Sequence, residues 1–338
     1  MKTIKTAVLG FGYWGPNLVR NLNKLSGVSI EAIVDLDEKK RKRVGEDFPS
    51  IQVSSNSDDI IKNPNIDAIV VATPPSTHFD LAYKSLNSGK HVLIEKPIAQ
   101  SSDDSMKLIN LAKKNNLKLM VDHTFIYSGA VKQIKTILEN NELGDLWYVD
   151  SVRINLGIVQ KDVNVIWDLA PHDLSILEYI INAKPVSVSA TGLSPNNYVG
   201  APLEGIAYLA IKYDNGILAH LHLSWLAPVK MRRMMVGGSK KFLVYDHLDP
   251  EHQVKIYDKA IGKTPEGDYH ILSERKEGDM YAPKIDQKEP LEEMVGHFIE
   301  SISNNKTPIS DGISGHNIVV IIEAAIRSME NGGAEINL

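Results

Sequence analysis

Two short stretches, far apart in the chain, carry side chains that could move a proton beside an alcohol. Glu95-Lys96-Pro97 follows the apolar run His91-Val92-Leu93-Ile94. An acid and a lysine at the carboxyl end of a buried strand sit where open α/β sheets bind ligands. Pro97 restricts Lys96 to an extended backbone, which helps to fix its direction. A lysine held beside a substrate and partly desolvated can polarise a hydroxyl or take part in proton transfer. A surface lysine paired with Glu95 is the alternative. The second stretch is Trp167-Asp168-Leu169-Ala170-Pro171-His172-Asp173. The apolar spacing of Leu174, Leu177, Ile180 and Ile181 predicts a helix over Pro171–Ile181. Asp168 and His172 lie four apart around its start, so both can point into the same space. Histidine is the side-chain type whose ordinary pKa lies near neutrality, as a base for an alcohol proton requires. An N-cap acid followed by a first-turn histidine would give the same pattern.

The N-terminus supplies a place for the redox partner that such chemistry needs. The apolar run Thr6–Leu9 leads into Gly10-Phe11-Gly12-Tyr13-Trp14-Gly15, and a helical pattern begins at Pro16. Strand, glycine turn and helix start come in the order a dinucleotide site requires. Gly10 permits the tight turn, Gly12 lets the backbone approach a pyrophosphate, and Gly15 allows close helix packing. Helix-start N–H groups then face the phosphates, and Pro16 fits a first turn. The next apolar run, Val28–Val34, ends in Asp35, about twenty residues beyond Gly15, where a ribose-binding carboxylate is expected. A carboxylate there accepts from ribose hydroxyls and repels a 2′-phosphate, so NAD is favoured over NADP. The basic run Lys39–Arg43 reads as a solvated helix face. Thr73-Pro74-Pro75-Ser76-Thr77-His78 follows the fourth strand; its hydroxyls can cap the next helix, and the loop can also touch the dinucleotide.

Stepping outward, the N-terminal third alternates strands with helical patterns. Its strands fall at Thr6–Leu9, Val28–Val34, Ile51–Val53, Ala68–Ala72, His91–Ile94 and Lys118–Val121. Most are continuous apolar runs, as in strands buried on both faces. That predicts a doubly wound parallel Rossmann sheet over 1–122. Beyond Gly144 the long alternating segments predict a half-exposed antiparallel sheet. In Ile217–Trp225 the odd positions share an apolar face. His220 and His222 lie on the other with no third ligand nearby, so no metal site is expected, and a polar face or subunit contact is. Asp214-Asn215-Gly216 is a hairpin turn. Lys259–Lys288 reads as loop with a possible short strand at Tyr269–Leu272. Pro290–Ser303 and Ser314–Met329 read as closing helices, with Ser314 as a cap.

The chain has 338 residues, enough for two domains. A net charge of −5 argues against a nucleic-acid or anionic-membrane partner. There is no cysteine, which excludes disulfides and thiolate chemistry and suits a reducing cytoplasm. No secretory pattern or membrane-length apolar run is visible.

Together these pieces resemble the glucose–fructose oxidoreductase and inositol dehydrogenase (Gfo/Idh/MocA) family. The carrying residues are Gly10–Gly15, Ala72–His78, Glu95-Lys96-Pro97, and Asp168 with His172. The resemblance covers essentially the whole chain and implies that 123–338 is a second α/β domain with a large open, mostly antiparallel sheet, for substrate binding and oligomerisation. It implies NAD(P)-dependent oxidation or reduction of a sugar or cyclitol carbon, by Lys96, Asp168 and His172. It implies cofactor contacts from Gly10, Gly12, Tyr13, Trp14, Gly15, Asp35, Thr73, Pro74, His78, Glu95 and Lys96. Candidate substrate contacts are Lys96, Tyr127, Arg153, Asn155 and His172. The segment His123–Tyr127 matches the family's pocket mouth, which commonly carries an arginine where this chain has Ile126 and a proline where it has Gly129. The Tyr13–Asn17 and Trp167–Asp173 forms are similar to members that oxidise the 3-hydroxyl of a UDP-N-acetylhexosamine or its uronate. The expected assembly is a homodimer or homotetramer through the open sheet. A dehydrogenase of free inositol or sugar is the enzymatic alternative, and a non-catalytic dinucleotide sensor the alternative of another class.

Overall fold

The computed structural model describes residues 3–157, 163–195, 203–261 and 275–338. The possible strand at Tyr269–Leu272 lies outside them. Along the chain come β1 (Ile4–Leu9), α1 (Gly15–Lys24), β2 (Val28–Val34), α2 (Glu38–Asp47), β3 (Gln52–Ser54), α3 (Ser57–Lys62), β4 (Ala68–Val71), α4 (His78–Asn87), β5 (His91–Ile94), α5 (Ser102–Lys114) and β6 (Leu119–Val121). Then follow α6 (Gly129–Glu139), β7 (Leu146–Leu156), α7 (Val165–Ile180), β8 (Pro185–Leu193), β9 (Ile206–Tyr213), β10 (Leu218–Ser224), β11 (Leu226–Gly238), β12 (Phe242–Asp246) and β13 (Val254–Tyr257). The chain closes with β14 (Ala260–Ile261), β15 (Arg275–Lys276), β16 (Met280–Tyr281), α8 (Pro290–Ser303), α9 (Gly312–Glu330) and β17 (Ile336–Asn337).

Two compact units result. The first is residues 1–127 with 288–320, and the second is 128–287 with 321–338. The first unit therefore takes back α8, which a single crossing after residue 122 would have given to the second.

In the first unit the sheet order is β3-β2-β1-β4-β5-β6, with every pairing parallel. The order reverses between β1 and β4, and that switch point opens a crevice at the carboxyl ends. Continuous apolar strands suit it: β4 is buried at every position, as are Val92, Leu93 and Ile94 of β5. β5 starts at His91, whose Nδ1 accepts the Lys118 N–H at 2.9 Å. Burial lowers the His91 pKa to about 4. In the same way burial holds His123 at about 3, and burial with the Arg232 charge holds His247 at about 4. All three rings stay neutral when folded, while an unfolded histidine protonates near pH ~6.5. Below that pH the unfolded chain takes up protons the native chain refuses, so stability falls as pH drops from about 6.5 toward about 4. Thermal melting across this range is expected to show that loss, and His91→Gln to flatten its slope.

In the second unit the sheet order is β16-β13-β12-β11-β7-β10-β9-β8-β17. β10 pairs parallel with β7, and every other pairing is antiparallel. The alternation over Ile217–Trp225 holds: Ile217, Ala219, Leu221, Leu223 and Trp225 are buried. On the other face Tyr208 stacks on His222 at 4.6 Å and on His220 at 6.3 Å. Ser224 departs from the expected polar face: it is buried, and its hydroxyl accepts the Leu226 N–H.

Two helix starts and one cap differ from the sequence reading. α7 begins at Val165, not Pro171, because Asn164 caps it by accepting the Trp167 N–H at 3.2 Å. Pro171 sits inside the helix, where it withholds a donor from the Trp167 carbonyl. α9 begins at Gly312, because Asp311 rather than Ser314 is the cap and accepts the Ser314 N–H. Thr77 does not cap α4 with its side chain; its hydroxyl is taken by Thr73 and by the Pro74 carbonyl.

Candidate active site

In the first unit the glycine turn follows β1. Gly10 has φ +98°, and a Cβ there would stand 2.4 Å from the Ala72 carbonyl oxygen. No other residue type fits both constraints. Gly12 opens onto free space, as the close approach of a pyrophosphate requires. A Cβ on Gly15 would strike the Gly10 carbonyl oxygen at 2.4 Å, so this glycine closes the turn on itself rather than on the strand. Tyr13 and Trp14 form an exposed edge-to-face pair beside the first turn of α1.

Asp35 ends β2. Its Oδ2 accepts the Phe11 N–H at 2.8 Å and its Oδ1 accepts the Asp37 N–H at 2.8 Å. The carboxylate therefore pins the glycine turn. The basic run is partly committed here, since Arg41 donates to the Asp35 and Leu36 carbonyls and Lys40 lies 3.7 Å from Asp35. Asp35→Ala is expected to weaken NAD binding by about tenfold, one lost charge-assisted bond. It should also narrow the preference over NADP; titration of both dinucleotides checks it.

The two later loops are tied together by a histidine. Fully buried His78 places Nδ1 2.7 Å from the Pro97 carbonyl and Nε2 2.8 Å from the Thr73 carbonyl. Burial lowers its pKa, against the pull of the two carbonyls. His78 thus joins the loop of Thr73 and Pro74 to the loop of Lys96. Lys96 is half-buried, and its peptide bond to Pro97 is cis. Glu95 is buried, and its carboxyl is hydrogen-bonded to that of Asp122. Tyr127, an expected substrate contact, is buried with its hydroxyl 3.1 Å from the Ser310 hydroxyl.

In the second unit α7 carries the other candidates. Asp168 and His172 lie one turn apart on it, so they share a face wherever the helix begins. The Trp225 indole N–H donates to Asp168 Oδ2 at 3.0 Å. Asp173, on the side turned to β7, accepts from Arg153 Nε at 2.6 Å and Nη2 at 3.0 Å, and from the Ser151 hydroxyl at 3.0 Å. Arg153 is therefore aimed at α7, and it holds the helix rather than reaching outward. Asn155 is half-buried near the end of β7, beside Gly157. Gly129 stands where the family commonly has proline. A Cβ there would lie 2.1 Å from the Asp286 carbonyl oxygen, so this position admits only glycine.

Residues 4–123 match the oxidoreductase family with an NAD-binding Rossmann fold, and residues 131–244 match the GFO/IDH/MocA C-terminal domain. The chain belongs to this oxidoreductase family. The cofactor of this GFO/IDH/MocA protein is NAD. UDP-N-acetylglucosamine 3-dehydrogenase of Acidithiobacillus ferrooxidans is 25% identical over 94% of each chain. The NAD-dependent scyllo-inositol 2-dehydrogenase of Bacillus subtilis is 24% identical over 97% of this chain and 95% of its own. A solved structure of the Acidithiobacillus enzyme aligns with TM-score 0.81 at 21% identity, covering 98% of this chain and 99% of that one. Among the described residues no helix is long and apolar enough to cross a membrane.

Sequence reading had passed over Asp122 and Trp225 as functional positions. Asp122 carried a usable signal, an acid directly after the apolar strand Lys118–Val121, as Glu95 is after its own strand. Trp225 carried none, since its bond to Asp168 spans 57 residues.

Proposed function

We propose that this family member oxidises a secondary hydroxyl of a nucleotide-linked amino sugar, the 3-hydroxyl of a UDP-N-acetylhexosamine or its uronate. The observation that carries the reading is Lys96 at the end of β5 together with Asp168 and His172 on α7. A UDP-N-acetylglucosamine 3-dehydrogenase matched along 94% of both chains supports this reading of the substrate class. The scyllo-inositol relative supports a second reading, oxidation of a free polyol.

NAD, when bound, supplies the hydride acceptor. Lys96 stabilises the developing alkoxide with fixed positive charge, which is worth most where water is excluded. His172 takes the hydroxyl proton. Asp168, steadied by the Trp225 indole, orients the histidine one turn along the helix. The Tyr208, His220 and His222 face would serve as a contact between copies of the chain.

The test is a substrate panel of UDP-N-acetylglucosamine, its uronate, free inositols and free hexoses, read as NAD reduction. The proposal expects the highest kcat/KM for a UDP-sugar. A preference for free polyols selects the second reading, and a bound dinucleotide that no sugar reduces overturns both.

A further inference from the structure

The Glu95 and Asp122 carboxyls play no part in the reaction just described. Both lie at the carboxyl edge of the Rossmann sheet, directly after the adjacent parallel strands β5 and β6, where Ile94 pairs with Val121 and Asp122 N–H donates to the Ile94 carbonyl at 2.8 Å. Glu95 is 9% and Asp122 5% exposed, and their side chains are hydrogen-bonded to each other. Two carboxylates cannot hydrogen-bond without a proton between them, and two buried negative charges in contact repel strongly. Thr124 decides which partner holds the charge. Its backbone N–H donates to Asp122 Oδ1 at 3.0 Å, and its hydroxyl donates to the same oxygen. Asp122 is therefore the acceptor, and Glu95 is the acid that donates.

We infer that Glu95 and Asp122 share one proton and present a single negative charge to Lys96, so that the pair is a positioning element for that lysine. The positioning role rests on the reading of Lys96 as catalytic; the shared proton does not. Burial and the Asp122 charge push Glu95 well above the usual carboxylate range. Burial also raises Asp122, against the donors from Thr124 and Glu95. Lys96 is the cation that acts on both. The other titratable groups nearby are accounted for. His123 is neutral and fully buried beside Asp122, His78 is committed to the Pro97 and Thr73 carbonyls, and Asp311, on the segment bridged to Met120, caps α9. A coupled pair titrates in two separated steps, so its single charge persists across the pH range between them.

Difference infrared spectroscopy of the full-length protein, without substrate, reads the shared proton directly. A protonated-carboxyl C=O band is expected at pH 7, and Glu95→Gln should remove it while the amide N–H keeps the bond to Asp122. Asp122→Asn should remove it as well; if that variant fails to fold by circular dichroism, Glu95→Gln and Lys96→Ala are sufficient. In Lys96→Ala the pH at which the band disappears should rise by about one unit or more, because the lysine charge favours the fully ionised pair. Absence of a band that Glu95→Gln removes overturns the shared proton. An unmoved titration in Lys96→Ala overturns the counter-charge. Neither readout depends on turnover, so failure here and failure of the substrate reading are distinguishable.

Discussion

Replacing Lys96 by alanine should lower kcat by roughly 10²–10³-fold, the usual loss when one group stabilising a developing oxyanion is removed. His172→Ala should lower it by about 10²–10⁴-fold, as loss of a general base does. If both act only as the bond to hydrogen breaks, kcat and kcat/KM fall together while NAD affinity holds. Steady-state rates on the best substrate of the panel, with NAD binding followed by titration, check this. Near-normal turnover in both variants would remove these residues from the reaction and leave a nucleotide-binding scaffold. The two effects should not add, because groups serving one transition state are not independent.

The largest effect on stability is expected at Asp173. Removing this carboxylate as Asp173→Ala takes the bidentate partner from a guanidinium that is 6% exposed. Breaking a buried pair from one side costs about 3–5 kcal/mol, mostly for the charge left behind. Urea unfolding followed in the second unit should show a lower midpoint at unchanged slope. The double replacement Arg153→Met with Asp173→Leu should recover most of the loss, since apolar groups of similar volume need no partner. Recovery of stability without recovery of turnover would show that the pair sets the placement of α7, which carries Asp168 and His172. If the single variant is as stable as the parent, the pair is not holding the helix.

How far the sequence disclosed this site depends on how local each signal is. The Rossmann strands were legible because each is a short apolar run followed by a turn, and burial on both faces leaves no other reading. Glu95, Lys96 and Asp35 were legible for a related reason: a polar residue that ends such a run must lie at the carboxyl edge. The start of α7 was not legible. Val165-Ile166-Trp167 has no helical period of its own, and Pro171 imitates a first turn, so the Asn164 cap passed unnoticed. The roles of Arg153, Tyr127 and Trp225 were hidden by distance along the chain. Arg153 meets Asp173 and Tyr127 meets Ser310 only after the folds are complete. Arg153 and Tyr127 read from sequence as substrate contacts, and the structure gives both a buried protein partner.

The indole of Trp225 gives the chain a built-in optical gauge. This ring is 1% exposed and bonded to a carboxylate on the helix of His172. Trp14 and Trp147 are 42% and 41% exposed, so their emission lies to the red and can be quenched separately by a water-borne collider. With half-buried Trp167 replaced by phenylalanine, the remaining blue-edge fluorescence should then brighten or dim whenever the Asp168 carboxylate gains a proton or turns away, with no label added.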